Sequence, residues 1–450
     1  MGDDYTIFMM EGCIYENRFG KKMLSTYKST VALSALIMFV GIGCLILAKH
    51  PAMKQLGEIV IVGMLCVVLA AYVIPPFLFK WITTKKGERR NNPITIKNIL
   101  TSLYSMLFFL IGSIYLTLLG FFVLTIGGKT EKHKIFYHRH VQMCCGFFLK
   151  RIPNTECRIE NKSGEEQPFD KPSVVICNHQ SLFDMMALLS LSHKLIVITN
   201  KWVWNAPFFH WIIRYADFYP TEKFDADDIE PLRKKIQEGY SVVIFPEGTR
   251  SVDGSILRFH KGAFYLAKKL NVSIMPVMIH GFGYILSKKY FLLKEGKFNI
   301  RIMPRINSEN VDYRELCKET HKIYKQKYHE LCKEIETADY FAEEIIDNYL
   351  YKGKEVLKKV RMSLSQNNNY KDLIDSIPVD TDVMLKNVGY GEISLLVALV
   401  RKDLKITAII EDEEKYLTAI NCASIPENLI YLQKETEVSL YNYVVDCHGE

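Results

Sequence analysis

Two short runs in the middle of the chain carry residue types that could do chemistry together. The first is Asn178-His179-Gln180-Ser181-Leu182-Phe183-Asp184, directly after the apolar run Ser173 to Cys177. A histidine placed where a buried strand gives way to a helix sits at the carboxyl edge of a sheet, where ligands collect in α/β folds. Asp184 lies five residues on, about one and a half helical turns, so a regular helix would not align the two side chains. Around a loop-to-helix corner they can meet. The carboxylate would then orient the imidazole and stabilise its charged form, and the histidine could deprotonate a hydroxyl with no serine nucleophile. A cap at the start of the following helix is the other reading of the pair.

The second run is Phe245-Pro246-Glu247-Gly248-Thr249-Arg250-Ser251, again after an apolar run, Ser241 to Phe245. Its glycine permits a tight backbone approach, and its arginine offers a planar donor fork suited to phosphate. The elements that must position these runs follow from apolar patterning. Strands are expected at 173–177, 195–199, 241–245, 272–277 and 298–303, with amphipathic helices at 227–237 and 261–270 between them. Strand–helix alternation of this kind implies a mostly parallel sheet.

Phe259, Lys261 and Gly262 follow at short range, then Ile274-Met275-Pro276-Val277, with Lys201 and Pro207 between the two main runs. In this order the residues resemble the glycerolipid acyltransferase family that includes the lysophosphatidic acid acyltransferases of the PlsC type, over roughly residues 172–280. The resemblance implies an α/β domain in which His179 is the general base and Asp184 its partner. It implies that Glu247, Gly248, Thr249 and Arg250 bind the glycerol-phosphate end of the acceptor, that Asn178 and Lys201 (the basic position of the second block) also bind substrate, and that Pro276 shapes the acyl site. The donor would be acyl-CoA or acyl carrier protein, with no cofactor and no metal required. Positions often glycine in the family's second block are His210 and Ala216 here, which leaves the acceptor open between 1-acyl-glycerol-3-phosphate and a lyso-aminolipid such as an ornithine or glycine lipid.

The flanks are of a different character. Val31 to Ala48 and Ile59 to Leu78 are uncharged and long enough to cross a bilayer, and a short connection makes them antiparallel. Arg18, Lys21, Lys22 and Lys28 precede the first, and Lys80, Lys85, Lys86, Arg89, Arg90 and Lys97 follow the second, so both flanks read as cytoplasmic. A third apolar stretch, Ile99 to Ile126, also ends in basic residues; a hairpin bent near Gly112 or a monotopic pair of half-helices satisfies both of its flanks. Gly2-Asp3-Asp4-Tyr5 and the two spans ending at Pro75-Pro76 resemble the last part of an MMPL/RND-type transporter, which implies an anchor or a transporter remnant with an unidentified partner. From Thr381 a strand, the turn Gly389-Tyr390-Gly391 and a helix resemble the opening of a class I S-adenosylmethionine methyltransferase. That resemblance implies cofactor contacts at Gly389, Gly391, Glu411 and Asp412, with a docking or vestigial unit as the alternative. The order of the three parts resembles a bacterial transporter–acyltransferase–methyltransferase fusion, and the implied location is the inner membrane, with the acyltransferase part on the cytoplasmic side.

The expected division is therefore a membrane remnant at 1–97, a membrane hairpin or monotopic segment at 98–140, an acyltransferase domain at 141–308, a charged helical connector at 309–370 and a partial Rossmann-like unit at 371–450. A formal net charge of +7 without a long basic tract suits an anionic membrane surface better than duplex nucleic acid. The eleven cysteines form no CxxC pair, which argues against a metal or disulfide framework.

Overall fold

The computed structural model describes residues 2–91, 93–206, 209–220, 229–288, 290–309, 311–365, 368–434 and 443–447, and the side chain of Lys201 falls outside that description. In chain order the elements are α1 (Gly2–Phe19), α2 (Leu24–Gly43), α3 (Pro51–Thr83), a two-strand hairpin β1 (Thr84–Lys85) and β2 (Glu88–Arg89), α4 (Ile96–Gly120) and α5 (Glu131–Arg151). Then come β3 (Thr155–Asn161), β4 (Val174–Cys177), α6 (Phe183–Leu191), β5 (Leu195–Thr199), α7 (Lys201–Trp204), α8 (His210–Tyr215), β6 (Tyr219–Pro220), α9 (Glu230–Gln237) and β7 (Ser241–Ile244). They are followed by α10 (Gly262–Leu270), β8 (Ile274–His280), α11 (Phe282–Ile285), β9 (Gly296–Ile302) and α12 (Tyr313–Ile335). The remainder is α13 (Ala338–Tyr349), α14 (Lys354–Ser365), α15 (Asn368–Ser376), β10 (Asp382–Lys386), α16 (Glu392–Val400), β11 (Lys405–Ile409), α17 (Glu413–Ile420), β12 (Leu429–Leu432) and β13 (Tyr443–Asp446). Two units divide the chain, residues 96–335 and residues 1–95 together with 336–450.

In the central unit a seven-stranded sheet runs in the order β3-β9-β8-β4-β7-β5-β6. Its pairs are parallel except β8 with β9. All five expected strands are present, and β3 and β6 are additions. β4 and β8 are buried along their whole length, as expected for strands covered on both faces. Val175, Cys177, Met275, Val277 and Ile279 pack with Tyr137, Val141, Phe148, Ala187 and Leu188 of α5 and α6. Val174, Ile176, Ile274 and Met278 pack on the other face with Leu232, Phe264, Leu316 and Leu331.

Leu316 and Leu331 lie on α12, so the reading of 309–370 as one connector is corrected. An amphipathic helix must bury its apolar stripe, and α12 buries it on the central sheet. The expected bend near Gly112 is also absent. Ile96 to Gly120 is one helix that passes into a π-helical turn, Phe121 to Ile126, and the space beside Gly112 is open. Glycine alone does not break a helix whose hydrogen-bond ladder is intact. The chain turns instead beyond Ile126, at Gly127 and Gly128 (φ +89°), before α5.

Between β8 and α11, Gly281 takes φ +92°, and a Cβ there would lie 2.2 Å from the Lys297 carbonyl oxygen in β9. Gly281→Ala therefore combines backbone strain with a clash against a backbone that cannot swing away, a cost of roughly 3 kcal/mol. Thermal unfolding in detergent should show a melting point about 6–12 °C lower for a unit of this size. An unchanged melting point would contradict the clash.

In the other unit, Tyr5, Met9, Val31, Ala35 and Ala71 pack α1 to α3 together. Most apolar side chains of α2 and α3 face outward, including Leu33, Leu36, Ile37, Ile59 and Val62. Leu24–Leu47, Pro51–Thr83 and Ile96–Ile126 are each long and apolar enough to cross a membrane. The C-terminal sheet is parallel, in the order β12-β11-β10-β13, the first part of a Rossmann order. It belongs with the N-terminal helices instead of standing apart. Asn17 donates to the Tyr351 carbonyl at 3.0 Å, Arg89 donates to the Asn421 carbonyl, and the buried Lys352 ammonium donates to the carbonyls of Asn17 and Asn421. Lysine at the last carbonyls of two helices suits the negative end of each helix dipole.

Candidate active site

The corner between β4 and α6 brings His179 onto Asp184. His179 Nδ1 lies 2.8 Å from Asp184 Oδ2, and the Asp184 side chain is fully buried. The same oxygen accepts the backbone N–H groups of Gln180 and Ser181, at 2.5 and 2.8 Å. Three donors on one oxygen fix the carboxylate and require Nδ1 to carry a proton. Nε2 then bears the lone pair. The imidazole is stacked on Phe245, ring centres 4.3 Å apart, and remains partly exposed. A histidine held by its far nitrogen, backed by an aromatic ring and with Nε2 unbonded among the described residues, has the geometry that general-base work requires.

Phe245 directly follows β7 and opens the second run. Gly248 takes φ +69°, a conformation that favours glycine, with the His260 ring 3.3 Å from where a Cβ would stand. Arg250 is half-buried, and its guanidinium pairs with no acid among the described residues. Lys288 donates to Thr249 Oγ1 at 3.1 Å and to the Arg250 carbonyl at 2.8 Å. Two cations on one turn, tied to the His179 carbonyl by the Ser251 N–H at 2.7 Å, are groups of the kind that suit anionic oxygens.

Two expected acceptor contacts are corrected. Glu247 is buried, and its two oxygens accept the backbone N–H groups of His179 and Leu257, each at 3.3 Å. It therefore ties the two runs together instead of facing an acceptor. Asn178 is buried too. Its side chain pairs with both the N–H and the carbonyl of Ile279, at 2.8 Å each, joining the end of β4 to β8. A buried amide that bridges two strands through its carbonyl and an N–H is held in the interior, away from a ligand. Pro276 is buried within β8, in register with Ile176. The positions missed in the sequence are Phe245 as a stacking partner, and Ser181 and Lys288. Ser181 donates to the Leu286 carbonyl at 2.9 Å. None of them has a spacing that marks its role.

Burial pushes the Glu247 carboxyl up to about 7 from an ordinary value near 4.5, against the two backbone bonds that favour its charged form, with the Asp184 charge adding to the rise. The folded carboxyl holds its proton to higher pH than the unfolded one. Its contribution to stability is complete below about pH 4.5 and is lost as pH rises to about 7. Glu247→Gln has no proton to lose, so the gap in melting temperature between it and wild type should change between pH 4.5 and 7.5. A gap constant with pH would refute the raised value.

In the other unit the turn Gly389-Tyr390-Gly391 opens α16, with φ +65° and +94° at its glycines. Glu392, buried beside it, accepts the Tyr390 N–H at 2.7 Å, and a Cβ on Gly389 would lie 2.3 Å from its carboxylate. Asp412 caps α17 by accepting the Lys415 N–H at 2.8 Å, and Glu411 is exposed. The face of the turn is thus taken by the chain's own acid. These residues do not fit a cofactor resting on the turn, which corrects the expectation of S-adenosylmethionine there; the strand order alone matches it.

Residues 158–280 match the family model described as acyltransferase. These residues form an acyltransferase domain. Residues 3–93 match the MMPL family. The acyltransferase part is similar to the chloroplastic 1-acyl-sn-glycerol-3-phosphate acyltransferase of Arabidopsis thaliana, 32% identical over 155 residues, covering 33% of this chain and 43% of that protein. It is similar to the 1-acyl-sn-glycerol-3-phosphate acyltransferase of Saccharomyces cerevisiae, 31% identical over 156 residues, covering 33% of this chain and 52% of the yeast protein. The human 1-acyl-sn-glycerol-3-phosphate acyltransferase alpha is 28% identical over 160 residues, with 34% and 56% covered. The chain thus spans about half the length of these relatives. A crystal structure of the 1-acyl-sn-glycerophosphate acyltransferase PlsC from Thermotoga maritima shares 26% identity at a TM-score of 0.44, covering 52% of this chain and 96% of that one. His179, Asp184, Glu247 and Arg250 all lie inside the acyltransferase match.

Proposed function

We propose that this chain is a membrane-bound O-acyltransferase that moves a fatty acyl chain from acyl-CoA or acyl carrier protein to the free hydroxyl of a lysophospholipid. The acceptor is 1-acyl-glycerol-3-phosphate and the product phosphatidic acid. The observation that carries the reading is the His179–Asp184 bond, which turns Nε2 away from Asp184, on a loop tied through Ser251 to Arg250, whose guanidinium has no acid partner among the described residues. His179 takes the acceptor's hydroxyl proton as its oxygen bonds to the thioester carbon. The C–S bond of the resulting tetrahedral intermediate then breaks, and the leaving thiolate takes the proton back from the imidazolium. Arg250 holds the acceptor phosphate.

The relatives' names supply the acceptor, and the two cations at residues 250 and 288 support a phosphate. Basic residues flank the first two apolar helices and follow Ile126 as well, which supports a cytoplasmic side for the acyltransferase domain at a bacterial inner membrane, with α4 lying in the membrane without crossing it. Partners are membrane lipids and the acyl donor, and nucleic acid has no place in this scheme.

The test is transfer from labelled oleoyl-CoA and oleoyl acyl carrier protein to a panel of lysolipids in membranes carrying the chain. Transfer to 1-acyl-glycerol-3-phosphate supports the assignment; transfer confined to a lyso-aminolipid replaces the acceptor; none at all overturns it. Arg250→Ala should raise the KM for the phosphorylated acceptor by roughly 10–100-fold, the worth of a charge-assisted bond. The KM for oleoyl-CoA should stay within about twofold, and Arg250→Lys should recover part of the loss. An equal KM rise for both substrates would refute phosphate binding by Arg250.

A further inference from the structure

Helix α12 lies beyond the segment that matches the acyltransferase family, which ends at residue 280. It nevertheless grips the residues on both sides of the base. The Tyr324 hydroxyl lies 2.7 Å from the Val277 carbonyl oxygen and 2.9 Å from Asn178 Oδ1, two acceptors that share its one proton, and it accepts the Asn178 N–H at 3.0 Å. One turn on, the Tyr328 hydroxyl accepts from Gln180 Nε2 at 2.5 Å. One turn back, His321 Nε2 lies 3.1 Å from the Leu257 carbonyl, and the Leu257 N–H is held by Glu247. Residues 321, 324 and 328 are spaced i, i+3 and i+7, one stripe of a helix.

This stripe differs from ordinary core packing. The buried Tyr324 ring would serve a hydrophobic core as well without its oxygen, and an unpaired hydroxyl in the interior is costly. Here the hydroxyls are spent on the loop that carries His179, whose neighbours Asn178 and Gln180 are both buried. Residue 179 is left as the partly exposed member between two pinned ones.

We propose that α12 is a positioning helix for acyl transfer, with Tyr324 and Tyr328 holding Asn178 and Gln180 so that His179 keeps Nδ1 on Asp184 and Nε2 toward the acceptor. The inference rests on His179 being the base. Tyr324 and Tyr328 touch no reacting atom; they act through the loop. Displacement of a catalytic group by about 1 Å can cost 10²-fold in rate, whereas substrate affinity set elsewhere in the site is untouched.

Tyr324→Phe, Tyr328→Phe and the double variant of the full chain are compared with wild type and with Tyr313→Phe, a tyrosine at the start of the same helix whose hydroxyl accepts from Arg314 Nε. In the double variant kcat should fall about 10–100-fold. KM for oleoyl-CoA and for 1-oleoyl-glycerol-3-phosphate should stay within about twofold, as should all parameters of Tyr313→Phe. A double variant with kcat within about twofold of wild type, or with the loss carried by KM, overturns the proposal. A second readout is independent of activity: modification of His179 by diethyl pyrocarbonate, followed by peptide mass spectrometry, should slow at least threefold in the double variant. If wild type transfers acyl chains to no acceptor, the functional assignment fails, and this rate still decides the positioning role. An unchanged or faster rate rejects it.

Discussion

Acyl transfer is expected to fall by about 10³-fold or more in His179→Ala, with the chain still folded and in the membrane. The side chain is stacked on Phe245 and partly exposed, so its removal opens little cavity, and the buried Asp184 oxygen keeps the backbone N–H groups of Gln180 and Ser181. The loss therefore belongs to kcat and not to folding. Without the base, the acceptor hydroxyl must lose its proton to water during attack, a much slower route at neutral pH. Oleoyl-CoA and 1-oleoyl-glycerol-3-phosphate should still bind with KM values within a few-fold of wild type. The check is labelled transfer in membranes carrying equal amounts of the two proteins. Residual activity above about a tenth of wild type would mean that another group takes the proton.

Asp184→Asn should cost nearly as much, about 10²–10⁴-fold in kcat, for a different reason. The carboxylate oxygen accepts three N–H donors, from His179 Nδ1, Gln180 and Ser181. The asparagine carbonyl can keep the two backbone bonds only by presenting its NH₂ elsewhere in a fully buried site, or it turns the NH₂ toward the imidazole. In the second case Nδ1 becomes the acceptor, the proton moves to Nε2, and the base faces the acceptor with no lone pair. The loop also loses a charge-assisted anchor, so a moderate drop in melting temperature accompanies the change. A proton–nitrogen NMR spectrum of the histidine rings should show the tautomer reversed at His179. An Asn variant with wild-type kcat would show that the acid only caps the helix.

The central sheet was legible because its strands are short unbroken apolar runs that only a doubly covered sheet explains, as at Val174 to Cys177. The His179–Asp184 pair was legible because its spacing made sense only at a corner, and the corner is present. The place of Glu247 was not legible, because an acid three residues before an arginine of a type suited to phosphate looks like a ligand contact, and sequence does not reveal that backbone amides occupy both its oxygens. Helix α12 was taken for a connector because its composition is charged, while Leu316, Tyr324 and Leu331 are spread thinly along 23 residues. The bend expected near Gly112 failed because charge flanks constrain where chain ends lie, not where a helix breaks. For the C-terminal turn, a glycine pattern marks a backbone shape; whether a ligand or Glu392 fills it depends on a side chain outside that pattern.

One unit is assembled from both ends of the sequence, with Arg89 bonded to Asn421 and Asn17 to Tyr351 across more than three hundred intervening residues. On a ribosome adding ~5–20 residues per second, Arg89 waits roughly 20–60 s for its partner to be made. During that interval the complete central unit, residues 96–335, can form from contiguous chain, while the other half-built unit shows its carbonyl-rich helix ends to solvent. Closure of so long a loop is slow but only modestly costly in entropy. The central unit is thus the part that can mature first during translation, and the unit containing the first two apolar helices is the last to be finished.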